Sequence, residues 1–537
     1  MLDPVAIIED EYGNLANPAN EADYILITHR DVGWDANGDP HPWLNDLVAL
    51  RQGQGLRVKV VDVEDTFDEF SYGIESPEAL LDFLAYAYSN WTKPAPQYVL
   101  LVGDSTRNPK NNLDPTYGLD TVTTYIPTYL TFTEHNGESA TDEWFVRVSG
   151  DDVISDLYIG RLPAKSAIEA IAMVNKILAY EGNPNTKSWE KNVLLLADDQ
   201  RDGLEYEYEA NFEIMNNDVA ALLPAAMHFE NPDYDPLNPL NDPVERYPAT
   251  GYLGQWSAND LRNLILLPQI NSGTLMVNYS GHSSVQILAN PVIFNNPDVD
   301  GLTNSGMYPL FVGMGCLSGH FVYPEDWNWP SLAEKLLRAE DKGAVAALMS
   351  TGQTTTEGQN ILDTALFDAI FNQDVRVLGQ AVSSAKQTLM ANGGSLYDEV
   401  NETFLLFGDP AMILKVPLPQ RPQGLRAQGN GNAVDLSWDE ATDCNGGAVA
   451  GYNLYRSTTP GGAYTQVNTS LITDNQYDDT SVAAGTTYYY VVTSVDADTG
   501  DESAQSQEAN GGTQSANSEA SGGGGGGGCF IDAVKAK

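Results

Sequence analysis

The chain has 537 residues, 42% of them hydrophobic, with 74 acids against 27 bases and a net charge of −47. That length exceeds a single hydrophobic core, so roughly two to four domains are expected. The acidity excludes nucleic acid and anionic membrane as partners, because both need basic surfaces. No run of about 18 or more apolar residues occurs, which argues against a transmembrane helix. Met1-Leu-Asp-Pro-Val5 lacks a basic n-region and a long apolar stretch, so it does not read as a signal peptide. The chain is then either cytoplasmic or begins inside a longer precursor. The three cysteines, Cys316, Cys444 and Cys529, are far apart, so neither a zinc spacing nor a disulfide framework is expected.

Residues 1–20 are polar and read as irregular. From Asp23 to Leu101 the pattern alternates. Tyr24 to Thr28, Val58 to Val63 and Tyr98 to Val102 read as strands, and Trp43 to Gln54 and Pro77 to Trp91 as helices. Such alternation predicts parallel strands with crossover helices. Ser105 to Val153 is loop-rich and aromatic, and Ser166 to Glu181 is an amphipathic helix. A second α/β run follows. Its expected strands are Val193 to Ala197, Thr274 to Tyr279, Leu310 to Gly313 and Ala344 to Met349. Its expected helices are Glu209 to Leu223, Trp329 to Ala339, Ile361 to Phe371 and Val377 to Asn392.

Pro417 to Gln423 is a proline linker. Beyond it, Val434 to Trp438, Ala450 to Arg456 and Gly485 to Val492 alternate with period two, which predicts an all-β unit over 417–513. Residues 514–537 are a Gly-rich tail, with Gly522 to Gly528 as a flexible spacer before Cys529.

Two strings carry the chemistry. Thr274-Leu-Met-Val-Asn-Tyr-Ser-Gly281-His282 is a strand that breaks at glycine and presents a histidine. Pro309-Leu-Phe-Val-Gly-Met-Gly-Cys316-Leu-Ser-Gly319 is a strand that breaks at glycines and presents a cysteine. In α/β sheets, reactive side chains sit beyond the carboxyl ends of strands. Cys316 fits a nucleophile and His282 its base. On its own string, Cys316 fits a packed core cysteine equally well; the flanking glycines and the partner histidine favour the nucleophile. The amides of Gly281 or its neighbours and of Cys316 are the expected oxyanion donors, and a catalytic thiol beside a histidine is expected to be depressed in pKa. Cys316 and His320 are too few ligands for zinc. No Gly-x-Ser-x-Gly elbow is present, which disfavours a serine hydrolase. The acidity is explained by solubility, or by calcium binding at Asp31 to Asp39 or at Asp298 to Asn304, neither of which has the EF-hand spacing.

The block Tyr279-Ser-Gly-His282, followed 34 residues later (316 − 282) by Cys316-Leu-Ser-Gly319, resembles the gingipain family of cysteine peptidases, family C25. Tyr24 to Thr28, Tyr98 to Asp104, Leu157 to Pro163, Val193 to Asp198, Gly343 to Ala346 and Phe407 to Pro410 match that family in order, over roughly residues 20–415. The resemblance implies a caspase-like α/β unit with mostly parallel sheets and flanking helices, in two subdomains, 21–185 and 186–416, the second catalytic. It implies a cysteine endopeptidase acting on protein or peptide substrates and needing no cofactor, with calcium as a structural ion. It also implies a bacterial protein that is secreted or on the cell surface.

The acid ending the first strand of the catalytic half would orient His282. This is Asp198, with Asp199 one slip away, where well-known members carry Glu. Met314, Gly315, Gln353 and Thr354 fall in the segments that would contact substrate. Arginine-specific members place an Asp in the following helix. Phe212 falls near that position, flanked by Glu209 and Glu213, so a basic P1 residue is a first expectation only. The β unit resembles a fibronectin type III sandwich, with Trp438 as core tryptophan and Tyr488 as corner tyrosine, and it could bind a surface or matrix ligand. Two rival readings stay open: a transpeptidase using the same residues, and a non-catalytic surface-binding protein.

Overall fold

The computed structural model describes residues 13–109, 123–182, 188–198, 212–227, 258–322 and 330–513. Contacts divide the chain into one unit ending at Pro417 and a second beginning at Leu418. Asp199, Glu209 and the tail with Cys529 lie outside the described residues, as does the side chain of Glu213.

The first unit begins with β1 (Tyr24–Thr28), β2 (Val58–Asp62) and β3 (Tyr98–Val102). A hairpin of β4 (Tyr129–Thr133) and β5 (Gly137–Thr141) follows, then β6 (Tyr158–Leu162), β7 (Val193–Ala197) and β8 (Met276–Ser280). Three two-residue strands, β9 (Ser283–Ser284), β10 (Ile287–Leu288) and β11 (Phe294–Asn295), form a small ribbon. β12 (Leu310–Met314), β13 (Ala346–Ser350) and β14 (Phe404–Phe407) complete the unit. Nine of these strands make one sheet in the order β2-β1-β3-β6-β14-β13-β12-β8-β7. Every neighbouring pair is parallel except β13 with β14.

The strands β1, β3, β7, β8, β12 and β13 are buried at every position. Parallel strands are covered on both faces, which is why they read as unbroken apolar runs. Helices Pro42–Gly53, Pro77–Asn90, Ala167–Glu181, Leu332–Arg338, Thr356–Phe367 and Leu378–Gly393 flank them. Three of these helices start where a serine side chain accepts a backbone amide: Ser76 from Ala79, Ser166 from Glu169, and Ser331 from Glu334 in a capping box.

Two features differ from the sequence reading. The two halves share one sheet because Phe404-Leu-Leu-Phe407 is itself a strand, inserted between β6 and β13. The loop-rich region also contains the hairpin β4–β5, anchored where Tyr129 stacks on Trp144 at 4.1 Å.

Buried charge pairs stitch the first half together. Arg161 of β6 makes two bonds to Asp142, at 2.6 and 2.8 Å, and donates to the carbonyls of Gly103, Ile126 and Pro127. Arg51 meets Asp409 at 2.8 Å and Glu181 at 2.7 Å, and Tyr24 donates to the same Asp409 oxygen.

In the second unit, β15 (Arg426–Asn430), β16 (Ala433–Ser437) and β19 (Gln476–Asp479) form one antiparallel sheet. β17 (Gly451–Ser457), β18 (Thr465–Gln466), β20 (Thr487–Val495) and β21 (Ala509–Gly512) form another. Val434, Leu436 and Trp438 share a core with Tyr452, Leu454, Tyr490 and Val492, residues drawn from both sheets. The hydroxyl of Tyr488 accepts the amide of Ala483 at 3.1 Å.

Candidate active site

The site lies where β7, β8 and β12 end side by side. β8 pairs with β12 so that Ser280 faces Met314, and β7 pairs with β8 so that Ala197 faces Ser280. His282 is two residues past Ser280, and Cys316 is two residues past Met314. The register therefore brings the histidine and the cysteine off neighbouring strands at the same level, with Asp198 one residue past Ala197. Asp198 Oδ2 accepts the backbone amide of His282 at 3.1 Å, and Asp198 donates its own amide to the Ser280 carbonyl at 2.9 Å. The ring of Phe212, buried on helix Phe212–Ala220, packs edge-on against the His282 imidazole, with centroids 5.2 Å apart.

Glycines let these loops touch. A Cβ on Gly281 would lie 2.4 Å from Asp198 Cβ, and one on Gly315 would lie 2.3 Å from Ser283 Oγ. Ser283 Oγ donates to the Cys316 carbonyl at 2.7 Å, and Tyr279 donates to the His282 carbonyl. Leu317, directly after the cysteine, has φ of 63°. For a residue with a Cβ this left-handed conformation costs about 1–2 kcal/mol, and the neighbouring segment holds it. Leu317 donates its amide to Gly352, Gly319 to Ser350, and His320 Nδ1 to the Thr351 carbonyl at 2.7 Å. Burial pushes the His320 imidazole down, and the bond to the Thr351 carbonyl opposes that shift. Hairpin β4–β5 joins the same wall, since Thr351 Oγ1 donates to the Ala140 carbonyl at 2.6 Å.

Of the expected substrate contacts, Gln353 and Thr354 are half-buried, and the Cys316 thiol points at the Thr354 carbonyl, 4.0 Å away. Met314 and Gly315 are corrections. Met314 is fully enclosed in β12, and Gly315 is buried against the Gly281 and Ser283 loop, so both shape the floor of the site. The Gly281 amide, an expected oxyanion donor, donates to the Met314 carbonyl at 3.0 Å. The Cys316 amide has no carbonyl acceptor among the described residues. The thiol also departs from the expected depression, because burial pushes Cys316 up.

In the two candidate calcium loops, described acids are engaged with other partners. Asp298 closes a helix capping box with Asn295 and pairs with Arg262, and Asp300 pairs with Lys335. In the other loop, Asp35 Oδ1 accepts the amides of Asn37 and Asp39. Among the described residues, no group of three or more His, Cys, Asp or Glu is placed to hold a metal.

The profile of Peptidase family C25 matches residues 17–415. The chain belongs to peptidase family C25. Gingipain R2 of Porphyromonas gingivalis is 23% identical over 418 residues, covering 75% of this chain and 48% of the relative. Lys-gingipain of the same species is 25% identical over 265 residues, covering 49% of this chain and 13% of the relative. The chain thus spans about half or less of the length of these curated relatives. The crystal structure of the Arg-specific cysteine proteinase gingipain R shares the fold, with a TM-score of 0.54 and 19% identity. It covers 93% of this chain and 100% of that one. A complex of its pro- and mature domains gives a TM-score of 0.55 and 19% identity, covering 91% and 100%.

Tyr279, Ser283 and Phe212 contact the His282 and Cys316 loops in ways that the sequence reading did not assign. Tyr279 and Ser283 stand within three residues of His282, a proximity that could have marked them. Phe212 comes from a separate helix, and the resemblance had set it near the substrate pocket and not against His282.

Proposed function

We propose that this chain is a cysteine endopeptidase in which Cys316 is the nucleophile and His282 the general base. The carrying observation is the β8–β12 register, which delivers both side chains from adjacent strand ends. His282 takes the proton from Cys316 Sγ as the sulfur attacks the scissile carbonyl, and the same proton passes to the leaving amine. Water then attacks the acyl-enzyme and frees the acid and the thiol. Burial raises the thiol, so the attacking thiolate would form as His282 takes its proton. The uncommitted Cys316 amide would stabilise the oxyanion. Asp198 would act through His282, fixing its backbone and orienting the ring.

A basic P1 residue belongs to this proposal. It is supported by the net charge of −47 and by the Arg and Lys specificities in the relatives' names. Phe212 stands against His282, so the acid facing such a residue would come from elsewhere. We also propose that the second unit is a fibronectin type III sandwich that contacts a surface ligand. Support comes from the two sheets sharing a core, with Trp438 inside and the Tyr488 hydroxyl bonded five residues upstream. Secretion or surface display fits the same reading. Among the described residues, no helix is long and apolar enough to cross a membrane.

The test is a peptide-library digest read by mass spectrometry, with reductant and with or without calcium, comparing the native chain and Cys316→Ala. Cleavage by the native chain alone is expected, and the cut sites give P1 directly. Added amines captured in the products would redirect the reading to transpeptidation. A folded native chain that cuts nothing and leaves Cys316 unreactive to iodoacetamide would overturn the enzyme reading in favour of a binding protein.

A further inference from the structure

A buried polar chain that the reaction does not use lies beneath the His282 loop. Asp363 on helix Thr356–Phe367, Asn278 in β8 and Asn216 on helix Phe212–Ala220 are all fully enclosed. Asn278 Nδ2 uses both hydrogens, donating to Asp363 Oδ2 at 2.8 Å and to Asn216 Oδ1 at 3.1 Å. Ser280 Oγ donates to the same Asn216 oxygen at 3.2 Å. Among the described residues, Asn278 Oδ1 and Asp363 Oδ1 face no donor and Asn216 Nδ2 no acceptor.

An ionised Asp363 would be a buried charge with a single hydrogen bond, an arrangement that proteins avoid. Among the described residues, no charged neighbour offsets it. β8 and β12 carry no charged residue, and the surrounding helical segments carry only Glu213, Asp218, Glu357, Asp368 and Lys386 besides Asp363 itself. Asp218 and Glu357 are exposed, Asp368 binds Asn372 and Gln373, and Lys386 pairs with Glu143 at 2.6 Å. Burial drives the Asp363 carboxyl up to about 7, opposed only by the bond from Asn278. A proton on Oδ1 gives Asp363 the donor that Asn278 Oδ1 lacks.

We propose that Asp363 is a positioning residue for the His282 base, held as the neutral acid in a two-bond ring with the Asn278 carboxamide. Through Asn216 this ring fixes the helix face whose Phe212 bears on the imidazole. Phe212 and Asn216 are four residues apart and share that face. Ser280, which bonds to Asn216, precedes Gly281 and His282, so one network grips both the ring and the loop that carries it. The proposal rests on the peptidase reading of His282 and Cys316. As pH rises and Asp363 ionises, its second oxygen faces only an acceptor, the ring opens, and His282 loses its lateral support.

Two measurements test this. The first needs no catalysis. Melting temperatures are recorded from pH 4 to 9 for Cys316→Ala alone and with Asp363→Asn added. The folded state keeps a proton on Asp363 that the unfolded chain, with a carboxyl near ~3.9, has released. Stability from this group therefore falls as pH rises between about 4 and 7 and is level above. Asp363→Asn mimics the neutral acid, so its melting temperature should gain on the parent across that window and then hold the gain. Identical pH dependence would overturn the neutral-acid assignment.

The second measurement is kcat and KM on a cleaved peptide. At pH 6, Asp363→Asn should stay within about threefold of wild type, and it should overtake wild type above pH 7. Asp363→Leu, which cannot pair with Asn278, should lose about tenfold or more in kcat with KM little changed. A folded Asp363→Leu with wild-type kcat would overturn the positioning role. If Asp363→Leu does not fold, Asp363→Asn carries the test through its alkaline activity, and a wild-type pH profile from it would overturn the role. Should the wild type cleave nothing, the peptidase reading fails, and the melting series still decides the protonation of Asp363.

Discussion

The two ends of the nine-stranded sheet handle polarity in opposite ways. On the β1–β3–β6 side, full charges are buried and paired, as Arg161 with Asp142 and Arg51 with Asp409 and Glu181. On the β7–β8–β12–β13 side, the strands carry no charged residue. Their buried polar groups are neutral amides, hydroxyls and an acid whose carboxyl is pushed up to about 7. Fixed ion pairs hold geometry rigidly but would shift the proton affinities of a nearby thiol and imidazole by several units. Beside the proposed Cys316–His282 pair the strands supply neutral polar groups, and the acid set against the pair is Asp198, bonded to the His282 amide at 3.1 Å. The contrast teaches that structural and chemical polarity are segregated along one sheet.

The largest effect falls on the chemistry. Cys316→Ala or His282→Ala should each reduce kcat/KM by about 10⁴-fold or more, and the double variant should lose little further, because the two act as a unit. Peptide hydrolysis measures the loss, and an unchanged melting curve shows the fold to be intact. On the charged side, Asp142→Ala leaves Arg161 buried with no counter-charge and should cost about 3–5 kcal/mol in a denaturant titration.

Lys176 sharpens the comparison as an exception. It is enclosed and, among the described residues, has no carboxylate partner; it donates to the carbonyls of Leu336 and Lys342, and burial brings it down to about 7. Its folded value lies below its unfolded one, so its contribution to stability rises from about pH 7 to about 10. Lys176→Met should therefore be most favourable relative to wild type below pH 7. That advantage should shrink by on the order of 4 kcal/mol toward pH 10, measured as melting against pH. The smallest effect is expected from Phe212→Ala, which removes the edge-on support of His282. It should reduce kcat by about tenfold, leaving KM nearly unchanged.

The sequence by itself determined the strands covered on both faces, since continuous burial requires runs such as Tyr98-Val-Leu-Leu-Val102 or Val193-Leu-Leu-Leu-Ala197. It also determined Cys316 and His282 as candidates, because two scarce reactive residues each follow an apolar strand and a glycine. It did not mark Phe404–Phe407 as a strand. Four apolar residues directly after a helix carry no turn signal, and only the sheet order shows that they bridge the two halves. Hydrogen-bond partners were equally invisible. Gly281 read as an oxyanion donor until register set its amide against Met314 on the next strand. Phe212 reaches His282, and Asn216 and Asp363 reach Asn278 in β8, from helices up to 85 residues away along the chain. Local pattern reports which face of an element is apolar. Which amide, ring or carboxyl meets a given side chain depends on strand register and helix docking, which are settled by packing across the whole sheet.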